Sequence, residues 1–116
     1  MQNLTSANAE RVANQIVDWL RVYAQNAKVN GFVIGISGGV DSAVTSTLCA
    51  LTGLKVLCVE MPIHQAQSQV NRGREHIEQL KNRFENVSNI EADLTLVFDN
   101  FKTTVPDNVE DWKVNL

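Results

Sequence analysis

The chain has 116 residues, 44% of them hydrophobic and 20% charged, which suits one globular domain with a buried core. Its net charge of −3 argues against the broad basic surface by which proteins hold duplex DNA or RNA. The N-terminus MQNLTSANAER lacks the basic-then-apolar pattern of a secretory leader, and no apolar run approaches bilayer length, so the expectation is a soluble, cytoplasmic protein without membrane or nucleic-acid partners.

From Ser6 to about Lys28, the residues Val12, Ile16, Trp19, Leu20 and Tyr23 recur at three- and four-residue steps. The spacing predicts an amphipathic helix with that stripe, Trp19 included, on the core. Thr5 or Ser6 is the expected N-cap, and Asn30-Gly31 the stop. Phe32-Val33-Ile34-Gly35-Ile36 is a short apolar run rich in β-branched residues, as in a parallel strand covered on both faces. After a Ser-Gly-Gly turn, Ala43, Val44, Leu48, Leu51 and Leu54 mark a second helix. Its other positions carry Thr, Ser, Ala and Cys, so it should be largely buried.

KVLCVEM, residues 55–61, is the second buried strand, stopped by Pro62. Cys49 and Cys58 lie in no metal-ligand spacing and each has apolar neighbours, which predicts two buried, reduced thiols. Val70, Gly73, Ile77, Leu80 and Phe84 mark a third helix with a charged outer face running from Arg72 to Glu85. Gly73 inside it costs about 1 kcal/mol relative to Ala. VSNIEADL is a weaker third strand and LTLVFDNFKTTV a fourth helix, up to Pro106. The polar tail PDNVEDWKVNL, with Trp112, has no assigned element. His64 in a polar loop and His76 among charged helix residues both read as surface histidines.

This alternation of helix and strand predicts an α/β fold, an open parallel sheet with helices on both faces. Ligands in such folds sit beyond the carboxyl ends of the strands. The Ser-Gly-Gly turn falls there.

Gly38 and Gly39 lack Cβ atoms, so the backbone can lie against a ligand. Successive amides in such a turn converge on an anion, and the helix that follows adds its positive end. Ser37 and Ser42 place hydroxyls on either side. Asp41 is out of place in a pure phosphate site, because its carboxylate repels the ligand. A hard cation such as Mg²⁺, bridging carboxylate and phosphate oxygens, would resolve the conflict. The competing reading makes Asp41 or Ser42 a simple helix N-cap after a glycine turn. A Walker-A loop is excluded, since no Gly-Lys-Ser/Thr follows, and the glycine spacing does not fit a dinucleotide fingerprint.

Ser37-Gly38-Gly39-Val40-Asp41-Ser42 resembles the SGGxDS signature of the N-type ATP pyrophosphatases, whose fold is adenine-nucleotide α-hydrolase-like, a Rossmann-like sheet. Within that superfamily the chain looks like the N-terminal part of an ammonia-dependent NAD synthetase. The resemblance rests on VDWLRVYA, on GFVIGISGGVDSAVTSTLCALTGL, and on a strand ending in Met61-Pro62. It is specific over the loop and its flanks and loose from His64 onward.

The resemblance implies adenylation of deamido-NAD by ATP with release of pyrophosphate, then displacement of AMP by ammonia to give NAD. Gly35, Ile36, Ser37, Gly38, Gly39, Val40, Asp41 and Ser42 would form the ATP segment, with Asp41 the Mg²⁺ ligand and the backbone near Met61 the seat of adenine. No residue here is assigned as a catalytic acid, base or nucleophile. The family's GTGN-like turn and ARxR helix are not found in the chain. Further ATP contacts, a second acidic Mg²⁺ ligand and much of the deamido-NAD pocket are therefore expected beyond Leu116. Residues 1–116 read as the N-terminal part of a single ATP-binding domain, inactive in isolation, from a protein that is a homodimer at full length. Two alternatives remain at this point. One is another enzyme of the superfamily, such as the GMP synthetase type; tRNA-thiolating and lysidine-forming enzymes are disfavoured by the missing CxxC and basic surface. The other is a non-catalytic adenine-nucleotide-binding module.

Overall fold

A computed structural model describes residues 5–105. In chain order its elements are α1 (Ser6–Ala27), β1 (Gly31–Gly35), α2 (Val40–Leu51), β2 (Lys55–Glu60), α3 (Gln67–Arg83), β3 (Val87–Glu91) and α4 (Thr95–Thr104). The tail after Val105, with Trp112, lies outside the described residues.

The strands form a parallel sheet in the order β1-β2-β3, with Ile34 opposite Cys58 and Cys58 opposite Asn89. This is the expected α/β class. Side chains alternate along each strand. Phe32, Ile34 and Ile36 therefore share a face with Val56, Cys58 and Val87, and α2 and α3 both pack there through Cys49, Ala50, Ile77 and Leu80. Burying side chains such as Val56, Ile77 and Leu80 is worth about 1.5–3 kcal/mol each. On the opposite face Val33 is 70% exposed and Ile90 51% exposed.

Cys49 and Cys58 are free and buried, as expected. Burial raises the pKa of both thiols. Thr5 is the N-cap of α1, its Oγ1 accepting from the Asn8 amide at 3.2 Å. The stop differs from expectation, because the left-handed cap is Lys28, with φ 59°, and Gly31 opens β1 instead.

The expected core stripe of α1 is also corrected. Val17 and Ala24 are its buried residues, while Val12, Ile16, Trp19 and Tyr23 are exposed, Trp19 by 62%. Of the expected stripe Leu20 does pack against the core, partly buried, while Trp19 stacks outside on Tyr23 at 5.3 Å. The same holds for α2. Its buried residues are Ser46, Cys49 and Ala50, whereas Val40, Val44 and Leu51 are exposed, so it is only partly buried.

Candidate functional site

β1 ends at Gly35, and Ile36 extends its pairing by donating its amide to the Val59 carbonyl at 2.9 Å. Ile36 is buried, which anchors the loop that follows. Gly38 has φ 84°, and a Cβ there would run into the Gln69 carbonyl, so both its angle and its surroundings demand glycine. Gly39 is the N-cap of α2 and makes no side-chain cap bond. Neither Asp41 nor Ser42 is the cap, so the competing reading of those residues fails.

The two serines brace the loop. Ser42 Oγ accepts from the Ser37 amide at 3.2 Å and donates to the Gly39 carbonyl at 3.2 Å. Ser37 Oγ accepts from the Gly39 amide at 3.2 Å and lies 3.3 Å from Ser42 Oγ. With the Ser42 proton on Gly39, Ser37 is the donor between the hydroxyls. The amides of Gly38, Val40, Asp41 and Ser42 find no protein acceptor among the described residues. These donors lie in the turn and at the start of α2, where the helix dipole is positive. Val40 and Asp41 are exposed there, in the first turn.

Asp41 suits Mg²⁺ as a single carboxylate ligand, because that ion keeps most of its sites for phosphate oxygens and water. The described residues contain no group of three or more His, Cys, Asp or Glu side chains able to hold a metal unaided.

α3 supplies a wall that the sequence did not reveal. Gln69 Nε2 donates to the Ser37 carbonyl at 2.9 Å, and Arg72 Nε to the Gly38 carbonyl at 3.4 Å. His76 Nε2 sits 2.7 Å from Ser46 Oγ on α2. Ser46 Oγ also lies 2.7 Å from the Ser42 carbonyl, and with its proton there, Nε2 carries the proton of the histidine bond. Burial lowers the His76 pKa. His76 is thus no generic surface histidine, and Arg72 is not part of a purely solvated face. Together with Gly38, Gly39, Val40 and Ser42 they line a cleft of about 150 Å³.

Glu60, at the end of β2, is only 6% exposed and lies beside the loop. Burial raises its pKa, Glu91 adds to the shift, and Arg74 opposes it. On the other side of the loop Met61 borders a second cleft, of about 280 Å³, with Gly35, Ile36, Ser37, Val59 and Gln65. His64 is exposed, yet its Nε2 lies 2.6 Å from Asp99 Oδ1 and its φ is 50°. Its amide donates to Thr95 Oγ1 at 3.2 Å, tying the segment after β2 to α4.

A family model described as NAD synthase matches residues 12–113. This chain belongs to the NAD synthase family. Among curated relatives it is 43% identical over 61 residues to an NH(3)-dependent NAD(+) synthetase of Methanocaldococcus jannaschii, a match covering 51% of this chain and 24% of that protein. It is 29% identical over 102 residues to that of Malacoplasma penetrans, covering 84% and 39%. Among solved structures, NMN synthetase from Francisella tularensis superposes with a TM-score of 0.75 at 28% identity, covering 82% of this chain and 38% of that one. The NH3-dependent NAD synthetase of Campylobacter jejuni, solved with a nitrate ion, gives 0.73 at 23% identity, covering 84% and 42%, a likeness of fold. Each of these four matches spans less than half the length of the protein matched, whereas the family-model match runs over residues 12–113 of this chain. It includes the whole loop and both clefts.

Proposed function

We propose that this chain is the ATP-binding part of an NAD synthetase, in which residues 35–42 hold the pyrophosphate portion of ATP and Asp41 its Mg²⁺. The observation that carries the reading is the set of unpaired amides at Gly38, Val40, Asp41 and Ser42, held in place by the Ser37–Ser42 hydroxyl pair.

A carboxylate is a poor electrophile, and transfer of AMP from ATP converts it to a mixed anhydride with a good leaving group. The nicotinate carboxylate of deamido-NAD attacks the α-phosphorus, the α–β bond breaks, and pyrophosphate leaves with the bonding pair. Ammonia then attacks the acyl carbon and expels AMP, giving NAD. The share of residues 35–42 is to hold the departing pyrophosphate: fixed N–H donors meet charge as it develops, without reorganising. A bound Mg²⁺ would neutralise part of that charge. The cleft of about 280 Å³ beside the exposed Met61 side chain is the seat this reading assigns to adenine. On this reading residues 1–116 are part of one ATP-binding domain, and the chain alone binds ATP without forming NAD. Much of the deamido-NAD pocket, the second Mg²⁺ ligand and some of the homodimer contacts would then lie outside these residues.

The test is to titrate Mg·ATP and Mg·pyrophosphate into the ¹⁵N-labelled chain. Amide signals of Gly38, Gly39 and Ser42 should move first. In Asp41→Asn the Mg²⁺ dependence of binding should vanish with a change in melting temperature of no more than about 2 °C, because Gly39 and not Asp41 caps α2. Shifts confined to other regions, or an Asp41→Asn chain that is destabilised but binds as before, would remove the basis of the reading.

A further inference from the structure

Gln69, Arg72, Gly73 and His76 stand at i, i+3, i+4 and i+7, one face of α3. Each meets the loop or α2. Gln69 and Arg72 bond to loop carbonyls, and His76 bonds to Ser46. A Cβ on Gly73 would lie 3.6 Å from the Gly38 nitrogen. A polar stripe of α3 is thus seated on the loop.

Charge decides what that stripe does. ATP held by residues 37–42 brings several negative charges beside the Asp41 carboxylate. The amides at the start of α2 offer only partial charges, equivalent to about half an elementary charge. Among the described residues lining the cleft, Arg72 is the one full cation, since burial disfavours a charged His76. The Arg72 side chain is exposed, and its Nε bond to the Gly38 carbonyl, at 3.4 Å, lays it across the loop. Its terminal nitrogens bond no acceptor among the described residues. A guanidinium is the group best matched to phosphate oxygens, through paired N–H donors.

We propose that Arg72 is a phosphate-contacting residue of the ATP site, its guanidinium closing the loop from the α3 side onto the oxygens that the α2 amides hold from below. The proposal rests on the reading of residues 37–42 as a pyrophosphate site and adds to it a side-chain cation beside the Mg²⁺ assigned to Asp41.

Calorimetric titration with Mg·pyrophosphate and Mg·ATP, run on the unsubstituted chain, Arg72→Gln and Arg72→Lys, tests it. Arg72→Gln should weaken pyrophosphate binding about tenfold, the scale of one charge-assisted hydrogen bond. Arg72→Lys should recover part of the loss, and the salt dependence of binding should flatten in the glutamine variant alone. Melting temperatures should stay together, because the bond to Gly38 is long and exposed. Unchanged affinity in Arg72→Gln, with the loop amides still shifting, overturns the role of Arg72 and leaves the loop reading intact. Loss of affinity with a large fall in melting temperature and no recovery by lysine makes Arg72 a structural brace and also overturns it. Absence of loop shifts in the unsubstituted chain overturns the loop reading itself.

Discussion

His76 and Glu60 flank the loop, and burial pushes each toward its neutral form, in one case against gaining a proton and in the other against losing one. Their effects on stability have opposite signs. For His76 the folded pKa lies below the ordinary 6.5, so between those values the unfolded chain binds more protons and stability rises with pH. For Glu60 the folded pKa lies above the ordinary 4.5, so over that interval the folded chain binds more protons and stability falls as pH rises. Urea midpoints measured from acid to neutral pH should show both. His76→Gln should lose the rising contribution below 6.5, and Glu60→Gln should be more stable than the unsubstituted chain at neutral pH. An identical pH profile for all three proteins would contradict the burial argument.

Helix α3 shows how closely an element passes the loop it supports. Gly73 weakens the helix, yet it is buried where the helix backbone passes Ile36 and Gly38. A methyl group there would meet Ile36 Cγ2 at 3.4 Å and Glu60 Oε2 at 3.8 Å, ordinary contacts. Gly73→Ala should therefore raise stability by about 0.5–1 kcal/mol, the helix-propensity gain, with ATP binding kept. Gly73→Leu should force α3 off the loop and weaken Mg·ATP binding at least about tenfold, an overpacking cost of about 1–3 kcal/mol. Thermal melts and calorimetry on both variants decide it, and tolerance of leucine would contradict the close approach. The same helix shows why legibility in the sequence was uneven. Ile77 and Leu80 were found by their apolar period, and the loop by its glycines and serines. Gln69, Arg72 and His76 were not, because a polar stripe packed on a polar loop has the same sequence pattern as one facing water. On α1 the error ran the other way. Trp19 and Tyr23 have the period of a core face, but period does not say which face finds a neighbour, and Val17 and Ala24 found it.

The molecule as a whole has apolar surface on several sides. Val33 and Ile90 lie on the face of the sheet away from α2 and α3, while Trp19 and Tyr23 on α1 and Val40, Val44 and Leu51 on α2 are also exposed. Among the described residues β1 and β3 are both edges of the sheet. Such surfaces and edges recruit other chains. The 116-residue chain is expected to self-associate, and to form no NAD from deamido-NAD, ATP and ammonia. Light scattering and an assay for NAD test the two halves, and a monomer that turns over would contradict both. The brace between Ser37 and Ser42 has a further consequence, one of entropy. Ordering a loop costs about 1–2 kcal/mol per residue in lost backbone freedom. Here the hydroxyl pair and the contacts to α3 impose that order when the chain folds. A ligand arriving at the loop therefore does not bear that ordering cost itself, and its affinity is higher by that amount.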